Sequence, residues 1–478
     1  MRSILTLFLL CATTNLLAQN QPPNFIIFIA DDVSWDDLGA YGNTDVKTPN
    51  IDRLAANGLR FDNAYLTASS CSPSRNSILT GRYPHNTGAA ELHTQPPIDM
   101  QSFPELLKAA GYYTAHSGKF HSGPYVKRGF DRMINDGPSV GNGGENAWLQ
   151  IVEERPEGTP FFFWFAAFDA HRAWGPNDFS GTHQGSAITP PPYLANADST
   201  KSDLAKYYDE IFRFDHHIGT ITAKLSEQGV IDNTFILIMA DNGRPFPHSK
   251  TRVNDRGMKT PFVVSWPAEV KSGTSDALVS AIDIAPTITD LAGVSRSEQF
   301  QGKSFARLLR APAQSFRNYV FAEHNWHDYE AHERMVRDTR FMYILNARPQ
   351  FPQMGPADAV GSPSHADLTA LKKDATITPA QADIFLAPRP SEELYDLSKD
   401  PDQWSNVAND PLYREELMRL QSVLQEWTRV TGDNVPDNLT MDWYELLPGY
   451  IKTNQHGIRG EMPGANLQAE KINESGPF

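Results

Sequence analysis

The sequence predicts an α/β protein: a large mixed, mostly parallel sheet sandwiched by helices, then a smaller C-terminal α+β subdomain with an antiparallel sheet. Three observations predict it. Short, nearly continuous apolar runs alternate with helical patterns, as in sheets covered on both faces. Two of those runs end alike, in Ala followed by two oxygen-bearing side chains. After about residue 312 the alternation gives way to short strands separated by turns and closed by one amphipathic helix.

In chain order, Met1–Ala18 reads as a secretory signal peptide: Arg2, an apolar run from Ile4 to Leu10, small and polar residues, and a cleavage point at Ala18-Gln19. A lipoprotein attached at Cys11 is the alternative, but Phe8-Leu9-Leu10 lacks the small residues usual before such a cysteine. No later segment is long and apolar enough to span a bilayer. The catalytic domain is expected at 19–312. Its buried strands read at Asn24–Ala30, Pro160–Phe168, Thr234–Ala240 and Thr260–Trp266, with helices at about 50–57, 103–110, 204–228 and 283–291. The subdomain is expected at 313–478. Its strands read at Tyr319–Ala322, Arg334–Arg337, Phe341–Leu345 and Glu393–Leu397. Its helix has Asp410 as N-cap, Pro411 in the first turn, a stripe of Tyr413, Leu417, Leu420, Leu424 and Trp427, and Gly432 as its end. Residues 349–391 form a long Pro- and Ala-containing excursion, read as a lid or loop.

The 478 residues suit one large domain plus a smaller one. A formal charge of -15 argues against nucleic acid and anionic membranes as partners, while leaving room for a local basic pocket. Of two cysteines, Cys11 leaves with the leader. An exported chain with Cys71 alone has no internal disulfide.

The matched strand ends supply the first chemistry. If Asn24–Ala30 and Thr234–Ala240 are neighbours, Asp31, Asp32, Asp241 and Asn242 converge at one sheet edge, where open α/β sheets gather ligands. Three carboxylates so placed repel one another unless a cation compensates, and oxygen donors favour a hard ion, calcium or magnesium. The competing reading is that each pair starts a turn. The second chemistry is Cys71-Ser-Pro-Ser-Arg-Asn-Ser-Ile-Leu-Thr-Gly81. Ser72 can cap a helix, Pro73 suits its first turn and Gly81 its end, which puts Cys71 at a helix N-terminus with Arg75 within reach. Physical chemistry alone reads this as a cysteine nucleophile or an anion site. His216-His217 looks like a metal pair, but its mid-helix place favours a structural role.

The stretch from Cys71 resembles the sulfatase signature Cys-X-Pro-Ser-Arg-X-X-X-Leu-Thr-Gly, and every fixed position agrees. Gly111–His121 is similar to that family's Gly-Tyr…Gly-Lys-Trp-His element, with Phe120 for tryptophan. Ala170-His171-Arg-Ala-Trp is similar to its Pro-His-X-Pro element without the prolines. Lys250–Pro261 is similar to a run of Lys, Glu-Gly-Gly and Arg-X-Pro, with Asp255 and Arg256 replacing the glutamate and the first glycine. Glu393–Pro401 matches the family's C-terminal subdomain, and Asp241-Asn-Gly-Arg-Pro-Phe-Pro looks closest to the N-sulfoglucosamine sulfohydrolase branch.

The resemblance implies an alkaline-phosphatase-like fold and Cys71 converted to formylglycine by a formylglycine-generating enzyme. It also implies one calcium ion held by Asp31, Asp32, Asp241 and Asn242 beside the modified Cys71. The aldehyde hydrate attacks sulfur, and its second hydroxyl lets the carbonyl reform and expel sulfate. Arg75 and Lys119 steady the hydrate, Lys119 and Lys250 hold sulfate oxygens, His171 protonates the leaving oxygen and His121 acts as base. His85, His93, Arg172, Trp174, Arg244 and His324 lie near these motifs and suit a sulfated sugar. The substrate expected is a sulfated polysaccharide or oligosaccharide met in the periplasm or outside the cell. The alternatives are an N-sulfoglucosamine sulfohydrolase, a phosphate or phosphonate monoesterase of the same superfamily, or an inert binding relative.

Overall fold

A computed structural model of the chain describes residues 21–447, 452 and 458–478. The expected leader and Cys11 therefore lie outside the described residues. Among the described residues the strands are β1 (Asn24–Ala30), β2 (Leu59–Phe61), β3 (Ala64–Tyr65), β4 (Tyr113–Gly118), β5 (Arg132–Ile134), β6 (Phe161–Ala166), β7 (Thr234–Ala240), β8 (Phe262–Ser265), β9 (Gly273–Ser275), β10 (Val279–Ser280), β11 (Val320–Trp326), β12 (Glu330–Arg337), β13 (Phe341–Asn346) and β14 (Glu392–Asp396). The helices are α1 (Pro49–Asn57), α2 (Cys71–Thr80), α3 (Phe103–Ala109), α4 (Trp148–Glu154), α5 (Asp198–Glu227), α6 (Asp255–Met258), α7 (Ile284–Leu291), α8 (Ala357–Val360), α9 (Pro363–Lys373), α10 (Pro379–Ala382) and α11 (Arg414–Thr431).

The large sheet runs β5-β4-β6-β1-β7-β8-β2-β9, and β8 alone opposes the rest. The expected mixed α/β architecture is what forms. Every residue of β1, β6 and β7 is buried, because helices cover both faces, and each large apolar side chain so buried contributes roughly 1.5–3 kcal/mol. Phe25, Ile27 and Ile29 face one core and Ile26, Phe28 and Ala30 the other, the period-two alternation of a strand. β11-β12-β13-β14 form a separate antiparallel sheet. Leu420, Leu424 and Trp427 of α11 pack on it through Phe321 and Val336.

Several boundaries differ from expectation. α5 begins six residues before the expected 204, because its first turn is polar. Thr200 and Asp203 are buried there, with Thr200 bonded to Asp367 and Asp203 to Ser364. Asp410 accepts the amide of Leu412, as expected of a cap, but a 3-10 turn at Pro411–Tyr413 precedes α11. The excursion 349–391 is a set of short helices, α8 to α10, and α9 packs against α5. None of the described helices is long and apolar enough to cross a membrane.

Candidate active site

β1 and β7 pair in parallel with Ala30 opposite Ala240. Asp31 and Asp32 therefore emerge beside Asp241 and Asn242 at the carboxyl edge. The Asp32 amide donates to Asp241 Oδ1 at 3.2 Å. Two further strands end at the same edge: β4 delivers Lys119, and β6 leads through Asp169 to His171. The Asp31 amide donates to the Asp169 carbonyl at 2.7 Å, and the Ala170 amide donates to the Asp31 carbonyl at 2.6 Å, locking the two loops together.

Cys71 enters from α2. Ser70, extended at ψ 129°, is the cap, so Cys71 is the first helical residue and Ser72 lies inside the helix. This corrects the expected cap at Ser72, whose hydroxyl instead accepts the amide of His93 at 2.8 Å. Gly81 closes the helix in the left-handed region, as expected. Every residue of α2 is buried. Cys71 is thus a buried side chain at a helix N-terminus, and burial pushes its thiol pKa up despite Lys119 and Lys250. Its Sγ lies 3.8 Å from Asp31 Oδ1 and 4.0 Å from Asp32 Oδ1.

Cations interleave with the carboxylates. Arg75 Nε donates to Asp241 Oδ2 at 2.7 Å, and its Nη2 lies 3.6 Å from Asp31. Lys119 Nζ pairs with Asp31. Lys250 Nζ bridges Asp32 at 2.7 Å and Asp358 at 3.3 Å. Burial raises the Asp31 pKa, but Lys119, His171 and Arg75 together outweigh it and hold the carboxyl below its ordinary range. Burial wins at Asp32, against Lys250, and at Asp241, against Arg75; both are pushed up to about 7. Asp31, Asp32, Asp241 and Asp358 are four acids against three such cations, and Asn242 Oδ1 is buried without a hydrogen-bond partner among the described residues. One acidic oxygen each from Asp31 and Asp241 lies with Cys71 Sγ in a single cluster. These hard oxygen donors, short of positive charge, fit a hard cation.

His171 turns Nδ1 onto the Arg172 carbonyl. Its Nε2 faces Asp32 at 3.9 Å and Asp358 at 3.8 Å. Burial, then Lys250 and Lys119, lower its pKa to about 4. His121 shares a 2.7 Å bond with His93, and its Nδ1 is buried without a partner. Burial and then Lys119 bring its pKa to about 2, so it stands neutral.

A cavity of about 390 Å³ reaches Asp31, Lys119 and His171, and it shares Arg172, Ala173, Gly175 and Glu210 with a larger one of about 1040 Å³. Burial and then Asp169 push Glu210 up to about 8, which lessens the negative charge of this wall at neutral pH. Of the six residues expected to touch substrate, Arg172 and Trp174 line the larger cavity. Arg172 is fixed by two bonds to Asp203 at 2.8 and 2.6 Å. His93 lines a third cavity with His121. The other three are drawn away by carboxylates, all buried but Asp36. His85 bonds Glu323 at 2.9 Å against Trp427, Arg244 pairs with Asp36 and Asp37, and His324 faces Glu333 at 3.6 Å. The His216-His217 pair sits on α5, with the His217 ring at the edge of Trp148.

Two site residues had no sequence signal. Asp358, from the excursion, lies 108 positions from Lys250 in the chain. His327 holds the hydroxyl of Ser70, the residue before Cys71, at 2.8 Å.

Comparison with known proteins adds the following. Residues 23–142 and 145–294 match the family described as Sulfatase, and residues 248–345 match N-sulphoglucosamine sulphohydrolase, C-terminal. An ulvan-active sulfatase of Formosa agariphila is 30% identical over 461 residues, covering 84% of this chain and 75% of that protein. Human N-sulphoglucosamine sulphohydrolase is 31% identical over 470 residues, covering 87% and 92%. A structure solved in complex with its substrate D-glucosamine-2-N,6-O-disulfate superposes with a TM-score of 0.66 at 21% identity, over 86% of this chain and 98% of that one.

Proposed function

Because the chain belongs to the sulfatase family and is a hydrolase of sulfuric esters, we propose that it is exported and removes sulfate from a sulfated polysaccharide or oligosaccharide, using formylglycine at position 71 and one calcium ion. The observation that carries this reading is the place of Cys71: first residue of a helix, buried among Asp31, Asp32 and Asp241, with Arg75, Lys119 and Lys250 around it. A sulfate ester is anionic and needs such convergent cations. The named ulvan and glucosamine relatives favour a sugar carrier.

Asp31, Asp32, Asp241 and Asn242 would hold calcium, which when bound supplies the positive charge that balances these carboxylates and the sulfate. Formylglycine supplies, as its hydrate, an oxygen nucleophile that a thiol cannot match. Arg75, anchored through Nε on Asp241 and with Nη2 near Asp31, has no hydrogen-bond partner for Nη1 and Nη2 among the described residues, which leaves them for the side chain of residue 71. Lys119 and Lys250 bind sulfate oxygens. His171 Nδ1 donates to the Arg172 carbonyl, which leaves Nε2 as the atom that carries the proton to the leaving oxygen. A bound sulfate raises the low pKa of this imidazole by placing negative charge beside it. His121, kept neutral, suits the complementary role of accepting a proton from residue 71 through its unpartnered Nδ1. The sugar occupies the cavity walled by Arg172 and Trp174, whose ring carries the Arg172 guanidinium 4.5 Å above it.

The test is sulfate release by the purified protein from a panel of defined O-sulfated and N-sulfated oligosaccharides, run beside paired aryl sulfate and aryl phosphate esters. Turnover of O-sulfated sugars well above the phosphate ester is expected. Turnover of N-sulfated sugars alone would place the chain with the sulfamate hydrolases, and phosphate turnover alone would overturn the reading.

A further inference from the structure

We propose that the groove between Trp35, Tyr193 and Trp404 is a second binding site, separate from the catalytic cluster, for a sugar unit carrying an anionic substituent. The groove has a volume of about 540 Å³ and shares no lining residue with the cavities at His171 and His121. Its three aromatic side chains are joined by four cations: Arg256, Lys259, Arg337 and Arg340.

Two of these cations are already matched. Arg337 binds both oxygens of Asp255 at 2.6 Å, and Arg340 binds Asp396 at 2.8 Å. The acid at the near end, Asp36, is taken by Arg244. Among the described residues, Arg256 and Lys259 have no carboxylate within ion-pair distance. Arg256 instead lies 4.2 Å over the Trp404 ring and 5.5 Å over Tyr193, donates Nη1 to the Asp402 carbonyl, and keeps Nε buried without a partner. Lys259 Nζ lies 4.0 Å over the Trp35 ring. Burial lowers the pKa of both.

Aromatic faces stabilise these cations, yet each remains desolvated without a counter-ion, in a chain of formal charge -15. An incoming anion gains charge-assisted hydrogen bonds from a guanidinium and an ammonium that have already shed much of their water. Trp35, Tyr193 and Trp404 all line the groove, so a sugar beside the cations also meets apolar ring surface. Arg256 is also a position where the sequence departs from the run it resembles, so the groove carries a feature of this chain in particular. The ligand class rests on the proposed function, since a glycan sulfated at one unit brings further anionic units to the same surface.

The experiment is affinity electrophoresis of the full chain carrying Cys71→Ala, through gels containing heparin, the same polymer desulfated and with its carboxyl groups reduced, or alginate. Retardation is expected in heparin and absent in the neutralised polymer. Retardation in alginate as well identifies carboxylate as an acceptable anion. Arg256→Ala and Lys259→Met should each weaken heparin retention about tenfold, the scale of one lost charge-assisted bond. In the Cys71-bearing protein the same substitutions should leave kcat/KM on a small aryl sulfate within about twofold, because that ester never reaches the groove. Should Arg256→Ala lower Tm, Lys259→Met decides, since its stem still covers Trp35. Retention unchanged by Lys259→Met, or a matching loss on the aryl sulfate, overturns the proposal. If no sulfate ester is turned over yet retention still depends on Arg256 and Lys259, the functional reading falls and the groove stands.

Discussion

Arg75 has no exposed side-chain surface and is held to Asp241 through Nε. Removing it leaves a buried carboxylate without its partner. Arg75→Ala should therefore destabilise the calcium-free protein by about 3–5 kcal/mol in chemical denaturation, besides abolishing turnover. A change below about 1 kcal/mol would show that Asp241 is already neutral or matched elsewhere. Cys71 differs: its thiol makes only long contacts to Asp31 and Asp32. Cys71→Ala should lose activity while shifting Tm little. Where maturation machinery is present, the peptide spanning residue 71 should be lighter than its thiol form by the difference between CH2–SH and CHO. Full activity from an unmodified thiol would sink that idea. His171 is assigned the proton for the leaving oxygen, so His171→Ala should cost about 100-fold or more on a sugar sulfate. It should cost far less on a nitrophenyl sulfate, whose leaving group needs no proton. Equal losses on the two esters would remove the general-acid role.

At the scale of elements, the helix α2 and the excursion 349–391 carry the site. α2 brings Cys71 by its N-terminus and Arg75 one turn further on, so one short segment supplies both the proposed nucleophile and its proposed clamp. The excursion contributes through α8, where the Asp358 carboxylate meets Lys250 and faces His171. That carboxylate positions the two groups and is not assigned contact with sulfur. Asp358→Asn keeps the shape and removes the charge. We expect kcat on a sugar sulfate to fall about tenfold with KM changed less, at a Tm within a few degrees of the parent. Asp358→Glu should recover part of the loss. A Tm drop with kcat unchanged would make α8 a packing element only.

At the scale of the whole molecule, the mixed sheet brings the ends of β1, β4, β6 and β7 to one edge and buries Asp31, Asp32 and Asp241 there. The pKa of Asp32 and Asp241 is raised from an ordinary 3.8 to about 7 by burial. The calcium-free protein thus takes up protons on folding, and these two groups withdraw stability as pH climbs from about 4 to about 7. A cation held there, as proposed, would bind their ionised forms and restore that stability. The rise in Tm on adding calcium should consequently be larger at about pH 8 than at about pH 5, where binding must displace protons. Differential scanning calorimetry at the two pH values measures it. A shift equal at both, or none, would refute a metal at these residues.

Composition, motif and periodicity determined the α/β class, the strands of the sheet centre, the helix behind Cys71 and the residue types that cluster around it. They could do so because a strand buried on both faces must be apolar throughout, and because residues following a strand necessarily lie at its end. Tertiary structure alone decided which charged side chains reach the site. His85, Arg244 and His324 looked equivalent to Arg172 in the sequence, yet Glu323, Asp36, Asp37 and Glu333 capture them, and no local pattern announces a carboxylate that arrives from elsewhere in the chain. Asp358 and His327 enter for the same reason reversed. Each is brought to the site by packing between segments far apart in sequence, and a pairing of that kind is written in the fold and in no single stretch of residues.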